Sequence, residues 1–116
     1  MSKTTYLNGL AAEDIAERSY LDQGYELLEK RWRSKAGEID LILRSEDVIV
    51  FVEVKVRKSH EDAAHAISHK QWMRIMGSAE LFVSERGLPP LSDLRFDAAL
   101  IDRTGVCKVI ENAPII

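Results

Sequence analysis

The sequence predicts an α/β fold in the order α-β-β-β-α-β-β, a sheet with helices packed against it. Three observations lead there. Apolar residues recur at helical spacing in two segments, 7–23 and 61–86. The run VIVFVEVKVR, residues 48–57, is dense in β-branched residues. The first three strand-like runs are joined by connections too short for anything but antiparallel neighbours.

Each element carries its own signal. Within 7–23, Leu7, Ala11 and Ile15 form one stripe with Ala12, Ala16 and Tyr20 beside it, and Gly24 supplies a stop. YELLEKRWR, from Tyr25, alternates loosely as a first strand. A turn at 34–37 leads into a second strand at 38–44, and RSED turns the chain again into 48–57. One long helix is expected over 61–86, with Ala64, Ile67, Trp72, Ile75, Ala79 and Phe82 as its stripe. Gly87 and the Pro89-Pro90 pair end it. LRFDAALID makes a fourth strand, RTG a turn and VCKVI a fifth. No linker, repeat or low-complexity tract interrupts residues 1–116, so a single domain is expected.

Composition narrows the class of protein. A hydrophobic content of 46% with 30% charged residues is that of a soluble globular chain. The single cysteine, Cys107, forms no internal disulfide, and a reducing, cytoplasmic setting is expected. No apolar run is long enough for a signal peptide or a membrane span, so no membrane partner is expected. A net charge of −3 argues against bulk polyanion binding, yet KRWRSK and KVRK are local basic patches beside the central strands.

Those strands hold charges where a core strand would not. Side chains alternate along a strand, so Glu53 and Lys55 share a face, about 6.6 Å apart along the chain, with Phe51 and Arg57. Val50, Val52, Val54 and Val56 take the other face. Glu38 and Asp40 likewise share a face, while Ile39, Leu41 and Leu43 point away. Pairing through the RSED turn brings Asp40 across from the Glu53–Lys55 region. Two readings follow. Convergent carboxylates repel and draw in a cation; two carboxylates, a lysine and a magnesium ion suffice to cut a phosphodiester. Alternatively, the charges are cross-strand ion pairs on a half-exposed sheet, of small net worth.

Asp40 followed thirteen residues later by Glu53-Val54-Lys55 on the next strand resembles the PD-(D/E)-x-K nuclease superfamily. Across nearly the whole chain the sequence is similar to the bacterial YraN-like family assigned to that superfamily. The matching pieces, in order, are Gly9 with Glu13 and Ala16, YL and GY at the end of the first helix, GEIDLI, FVEVKVR, Lys70, and RFD at Arg95–Asp97. E-x-K alone recurs by chance; GEIDLI followed by FVEVK at this spacing is specific. Ile39 stands where the superfamily has a proline, a departure usual for this family.

The resemblance implies a restriction-endonuclease-like core, a mixed central β-sheet flanked by helices with the acidic site on its central hairpin. It implies Asp40 as the main metal ligand, Glu53 as the second, Lys55 as the residue that orients or activates water, and Glu13 as a helix carboxylate supporting the metal. The expected cofactor is Mg2+ or Mn2+, and the expected activity is metal-dependent hydrolysis of DNA phosphodiester bonds, on branched or repair substrates among others. Arg31, Arg33, Lys35, Arg57, Lys58 and Lys70 are the candidate phosphate contacts, which position a strand without reading its sequence. Glu38 and Asp97 fit the family pattern without a mechanistic role. A homodimer is allowed by these features and not required by them.

Other residues weigh less. His65 and His69 share a helix face if 61–86 is one helix, but the Glu of a zincin motif is Ala66 here and no third ligand stands at a sensible spacing to them or to His60. Trp32 and Trp72 could stack bases, though in a chain of this size tryptophans more often fill a core or an interface. Fold alone does not fix activity. A non-catalytic nucleic-acid-binding or repair-scaffold module is the alternative, and a protein-interaction domain is a third reading that suits the acidic balance.

Overall fold

In the computed structural model, residues 9–88 and 93–115 are described. The order is α1 (Gly9–Leu21), β1 (Glu26–Ser34), β2 (Gly37–Ser45), β3 (Val48–Val56), α2 (His60–His65), α3 (His69–Glu85), β4 (Asp93–Ile101), β5 (Cys107–Ile110) and a 3-10 turn at Ala113–Ile115. The sheet has the order β1-β2-β3-β4-β5. The first three strands form the expected antiparallel meander, β4 joins β3 in parallel, and β5 returns antiparallel at the edge. This mixed sheet flanked by helices is the α/β architecture that the sequence leads one to expect.

β3 is central and buried on both faces, which is why its sequence runs almost continuously apolar. One face packs under α1, where Ala12, Ala16 and Tyr20 meet Leu41, Leu43, Val50 and Val52. The buried stripe of α1 is thus the Ala12–Ala16–Tyr20 row, and Ile15 lies at its margin; Leu7 falls outside the described residues. The other face packs under α2 and α3, where Phe82 contacts Phe51 and Trp32 edge-on at 5.9 and 5.3 Å. The face that carries Glu53 and Lys55 is therefore covered by helices. Truncating Phe82 to alanine would cost roughly 3–5 kcal/mol through the cavity it leaves.

The expected single helix over 61–86 is two. Ser59 caps α2, accepting from the Asp62 N–H at 3.1 Å, and Ser68 caps α3, accepting from the Gln71 N–H at 3.0 Å. A helix cannot run through a residue in extended geometry, and Ser68 sits at φ −79, ψ 160. The break lets α2 lie over β3 and β4 while α3 crosses β1 and β2. His65 and His69 consequently belong to different helices, and the shared helix face that a zinc reading needed does not exist. The Pro89-Pro90 stop lies outside the described residues.

Alternation also fails at one place. Arg31, in mid-β1, has φ 48, a conformation that non-glycine residues rarely adopt. Lys30 and Arg31 consequently both reach acids of α1, while Trp32 packs on the opposite face against Phe82. Directly across, Ile39 packs in the cluster under α3, whereas Leu41 and Leu43 pack under α1. The expectation that Ile39, Leu41 and Leu43 share a face is thus corrected. The residue at the switch is Asp40.

Among the described residues, no helix is long and apolar enough to cross a membrane.

Candidate active site

The β2–β3 ladder runs from Ser45↔Val48 to Leu41↔Val52 and stops where Asp40 would face Glu53. Instead of pairing by backbone, Asp40 turns its carboxyl between the strands, and Oδ2 accepts the Val54 N–H at 2.8 Å. One oxygen is thereby fixed by the backbone. The switch in alternation opposite Arg31 is what allows this placement.

Glu53 lies on the α3 face of β3 and is only 5% exposed. It shares a hydrogen bond with Asp40, Gln71 donates to its Oε2, and Lys55 Nζ stands 3.3 Å from the same oxygen. Burial raises the Glu53 carboxyl, the Asp40 charge raises it further, and together they push it up to about 8 despite Lys55. Burial raises Asp40 as well, against the opposing Val54 hydrogen bond. Both carboxyls are thus raised above the ordinary carboxylate range, Glu53 the further.

Glu13 approaches from α1. It is 8% exposed, and its Oε1 lies 3.4 Å from Arg31 Nε yet accepts no hydrogen bond among the described residues. Burial, then the Asp40 charge, raises its carboxyl above the usual range. Gly37, Glu38, Asp40 and Glu53 line a cleft of about 240 Å³ with Gln71, Arg74 and Ile75 of α3.

This donor set suits a hard cation with oxygen ligands. Magnesium commonly takes one or two carboxylates and completes its shell with water and phosphate oxygens. Asp40 and Glu53 fit that pattern, and the undonated Oε1 of Glu13 lies nearby. Among the described residues no three His, Cys, Asp or Glu side chains come together closely enough to hold a metal by themselves. Glu13 therefore stands behind the pair and does not complete a three-acid cage.

The basic candidates divide. Arg31 is engaged with Glu13, and Arg33 pairs with Glu38 at 2.9 Å. Glu38 is thus a strand-end partner for Arg33. Arg57 donates to the Val56 carbonyl at 2.7 Å. Lys35, Lys58 and Lys70 are exposed. Asp97 is fully buried on the α1 side, where it accepts from Tyr20 Oη at 2.8 Å, Arg95 in a bidentate fork and the Asn112 N–H at 3.2 Å. Its work is to anchor α1 and the C-terminal turn to β4.

Gln71 and Arg74 escaped the sequence reading. Their signal was present: Ser68 fixes the helix start, after which Gln71, Arg74 and Ile75 follow at i, i+3 and i+4 on one face. A polar Gln71 next to the otherwise apolar stripe marks the cleft.

The family description "Uncharacterised protein family UPF0102" matches residues 12–101. The chain belongs to the UPF0102 family. It is 45% identical over 111 residues to a UPF0102 protein of Roseobacter denitrificans, covering 96% of this chain and 86% of that one. A UPF0102 protein of Ruegeria pomeroyi is 44% identical over 108 residues, 93% of this chain and 88% of its own, and one of Azorhizobium caulinodans is 41% identical over 112, 96% and 85%. Among solved structures, the EndoMS–dsDNA2 complex aligns with a TM-score of 0.41 at 21% identity, over 78% of this chain and 33% of that one. Within the UPF0102 match lie Glu13, Asp40, Glu53, Lys55, Gln71 and Arg74.

Proposed function

We propose that this UPF0102 protein is a divalent-metal-dependent hydrolase of DNA phosphodiester bonds. The observation that carries the reading is the Asp40–Glu53 pair: a half-buried and a buried carboxyl on adjoining strands, both raised by burial, with Lys55 beside them. A surface ion-pair network would leave such acids solvated and ionised. Here the sheet gives up a ladder pairing to bring them together, a local cost of the kind that function sustains.

Asp40 and Glu53 would hold magnesium or manganese, which when bound would supply Lewis acidity toward the phosphate oxygens. The chain's own groups do the rest. Val54 N–H holds Asp40 in one rotamer, and Gln71 does the same for Glu53 from α3. Lys55 Nζ orients the attacking water on the Glu53 side of the cleft, and the proton that this water gives up passes through solvent to the leaving oxygen. Arg74, on the cleft wall, meets the negative charge that develops at phosphorus. Lys35, Lys58 and Lys70 reach flanking phosphates.

The test is a cleavage panel of linear duplex, single-stranded and branched DNA with magnesium or manganese, run with Lys55→Ala as control. Metal-dependent cutting by the parent and none by the variant is the expected result. DNA binding without cutting would favour a non-catalytic module, to which the Arg31–Glu13 and Arg33–Glu38 pairs are equally suited. Absence of both would point to a protein-interaction domain.

A further inference from the structure

The largest described cavity, about 730 Å³, is not the carboxylate cleft. It lies over the sheet's far end, between α2, the start of α3 and the C-terminal turn. Its floor is apolar: Trp72, Ala98, Leu100 and Ile110. Its rim is basic and aromatic, with His65, His69 and Lys108, and one acid, Glu61.

Strand register ties this cavity to the cleft. Glu53 pairs with Ala98, which pairs with Ile110; Lys55 pairs with Leu100, which pairs with Lys108. Paired residues share a face, and neighbouring strands are about 4.8 Å apart, so the floor begins one strand, about 5 Å, from Glu53 and Lys55. α3 makes the same junction from above. Gln71 lines the carboxylate cleft, while His69 and Trp72 line the cavity. The two hollows thus lie side by side across the β3–β4 pairing, one lined by acids and the other apolar with Lys108 at its rim.

We propose that the cavity is a nucleobase pocket, taking one unstacked base of the strand whose phosphate lies at Asp40 and Glu53; the inference rests on the hydrolase reading of that cleft. A nucleotide has the matching order of chemistry, a reacting phosphate, a flat apolar base and a next phosphate for Lys108. An apolar floor edged by aromatic rings accepts any base by its π-face. A base inside a duplex stack cannot enter a recess, so the substrate strand is single-stranded or has an unpaired nucleotide at the cut. Intact duplex is then the poorest ligand.

The test separates the pocket from the chemistry. In calcium, binding of a short single-stranded DNA is measured by anisotropy while one abasic site is walked along it. At one position the loss of the base should weaken parent binding about tenfold, the worth of one stacked base. Ala64→Trp, on the exposed wall of the cavity, should bind the intact strand about as weakly as the parent binds that abasic strand, with no further loss at that position. Lys108→Ala should weaken intact and abasic strands equally. Equal affinity for every abasic position, or an Ala64→Trp variant that keeps the parent's abasic profile, overturns the pocket. So does failure of the parent to bind DNA. Cleavage in magnesium is scored separately. A position-specific abasic effect without cutting upholds the pocket and removes the hydrolase; cutting with a flat abasic profile does the reverse.

Discussion

Replacing Glu53 by glutamine should make the metal-free protein more stable at neutral pH, although the residue is buried in the centre of the sheet. In the folded chain the Glu53 carboxyl is pushed up to about 8, from 4.5 as its ordinary value. A raised acid contributes fully below its unfolded value, and that contribution is lost as pH rises toward the folded value. At pH 7 the folded state holds a proton that the unfolded state has released. Two and a half pH units at about 1.4 kcal/mol each give roughly 3.5 kcal/mol, which coupling to Asp40 lowers to about 3 or less. Glutamine mimics the protonated acid: its amide donates to Asp40 and its carbonyl accepts from Gln71. In chelator, Glu53→Gln should match the parent near pH 4.5 and exceed it by up to about 3 kcal/mol at pH 7, a shift of ten degrees or more in Tm for a domain of this size. Urea and thermal melts at pH 4.5, 6, 7 and 8 measure it. Parallel stability curves across that range, or a variant that is weaker at pH 7, would show Glu53 ionised and serving Lys55 as a structural partner. That result would refute both the raised carboxyl and the cation site built on it.

Magnesium binding by the parent should release about one proton below pH 8, so its apparent affinity should climb close to tenfold per pH unit from 6 to 7.5 by calorimetry in two buffers. A pH-independent affinity would count against Glu53 as ligand. Ser68→Ala should cost about 1 kcal/mol through the lost α3 cap and should weaken magnesium binding by loosening Gln71, whereas Ser59→Ala at the α2 cap should cost stability alone. Asp97→Asn should cost on the order of 3 kcal/mol, because Arg95 loses its counter-charge and an amide NH2 replaces one of the two oxygens that accept from Arg95, Tyr20 and Asn112; a loss under about 1 kcal/mol in urea would mean that this network does not hold α1. DNA affinity should fall steeply with salt despite the negative net charge, and Arg74→Ala should flatten the log–log slope by about one. An unchanged slope places Arg74 away from the phosphates.

Much of the fold was already legible in one dimension. The strands of the meander and both β4 and β5 follow from periods of two and from β-branched runs, because alternation is a property of the extended chain itself. The residues of the acidic pair were legible too, since charges inside an otherwise apolar strand demand a reason, and the GEIDLI and FVEVK motifs match a family. What the chain could not reveal alone depends on contacts between distant segments. The split of the second helix follows from where α2 and α3 must lie on the sheet, although Ser68, a residue type that caps helices, already offered the break. Ile39 and Leu41 diverge because Arg31, on the neighbouring strand, adopts φ 48 and Asp40 takes a backbone donor from β3. Glu13, Gln71 and Arg74 reach the site from two helices on opposite faces, an arrangement that no spacing within one segment encodes. Residue types determined which chemistry was available; packing decided that the Asp40 and Glu53 carboxyls are both raised, because only the covering helices exclude the water that would otherwise keep both ionised.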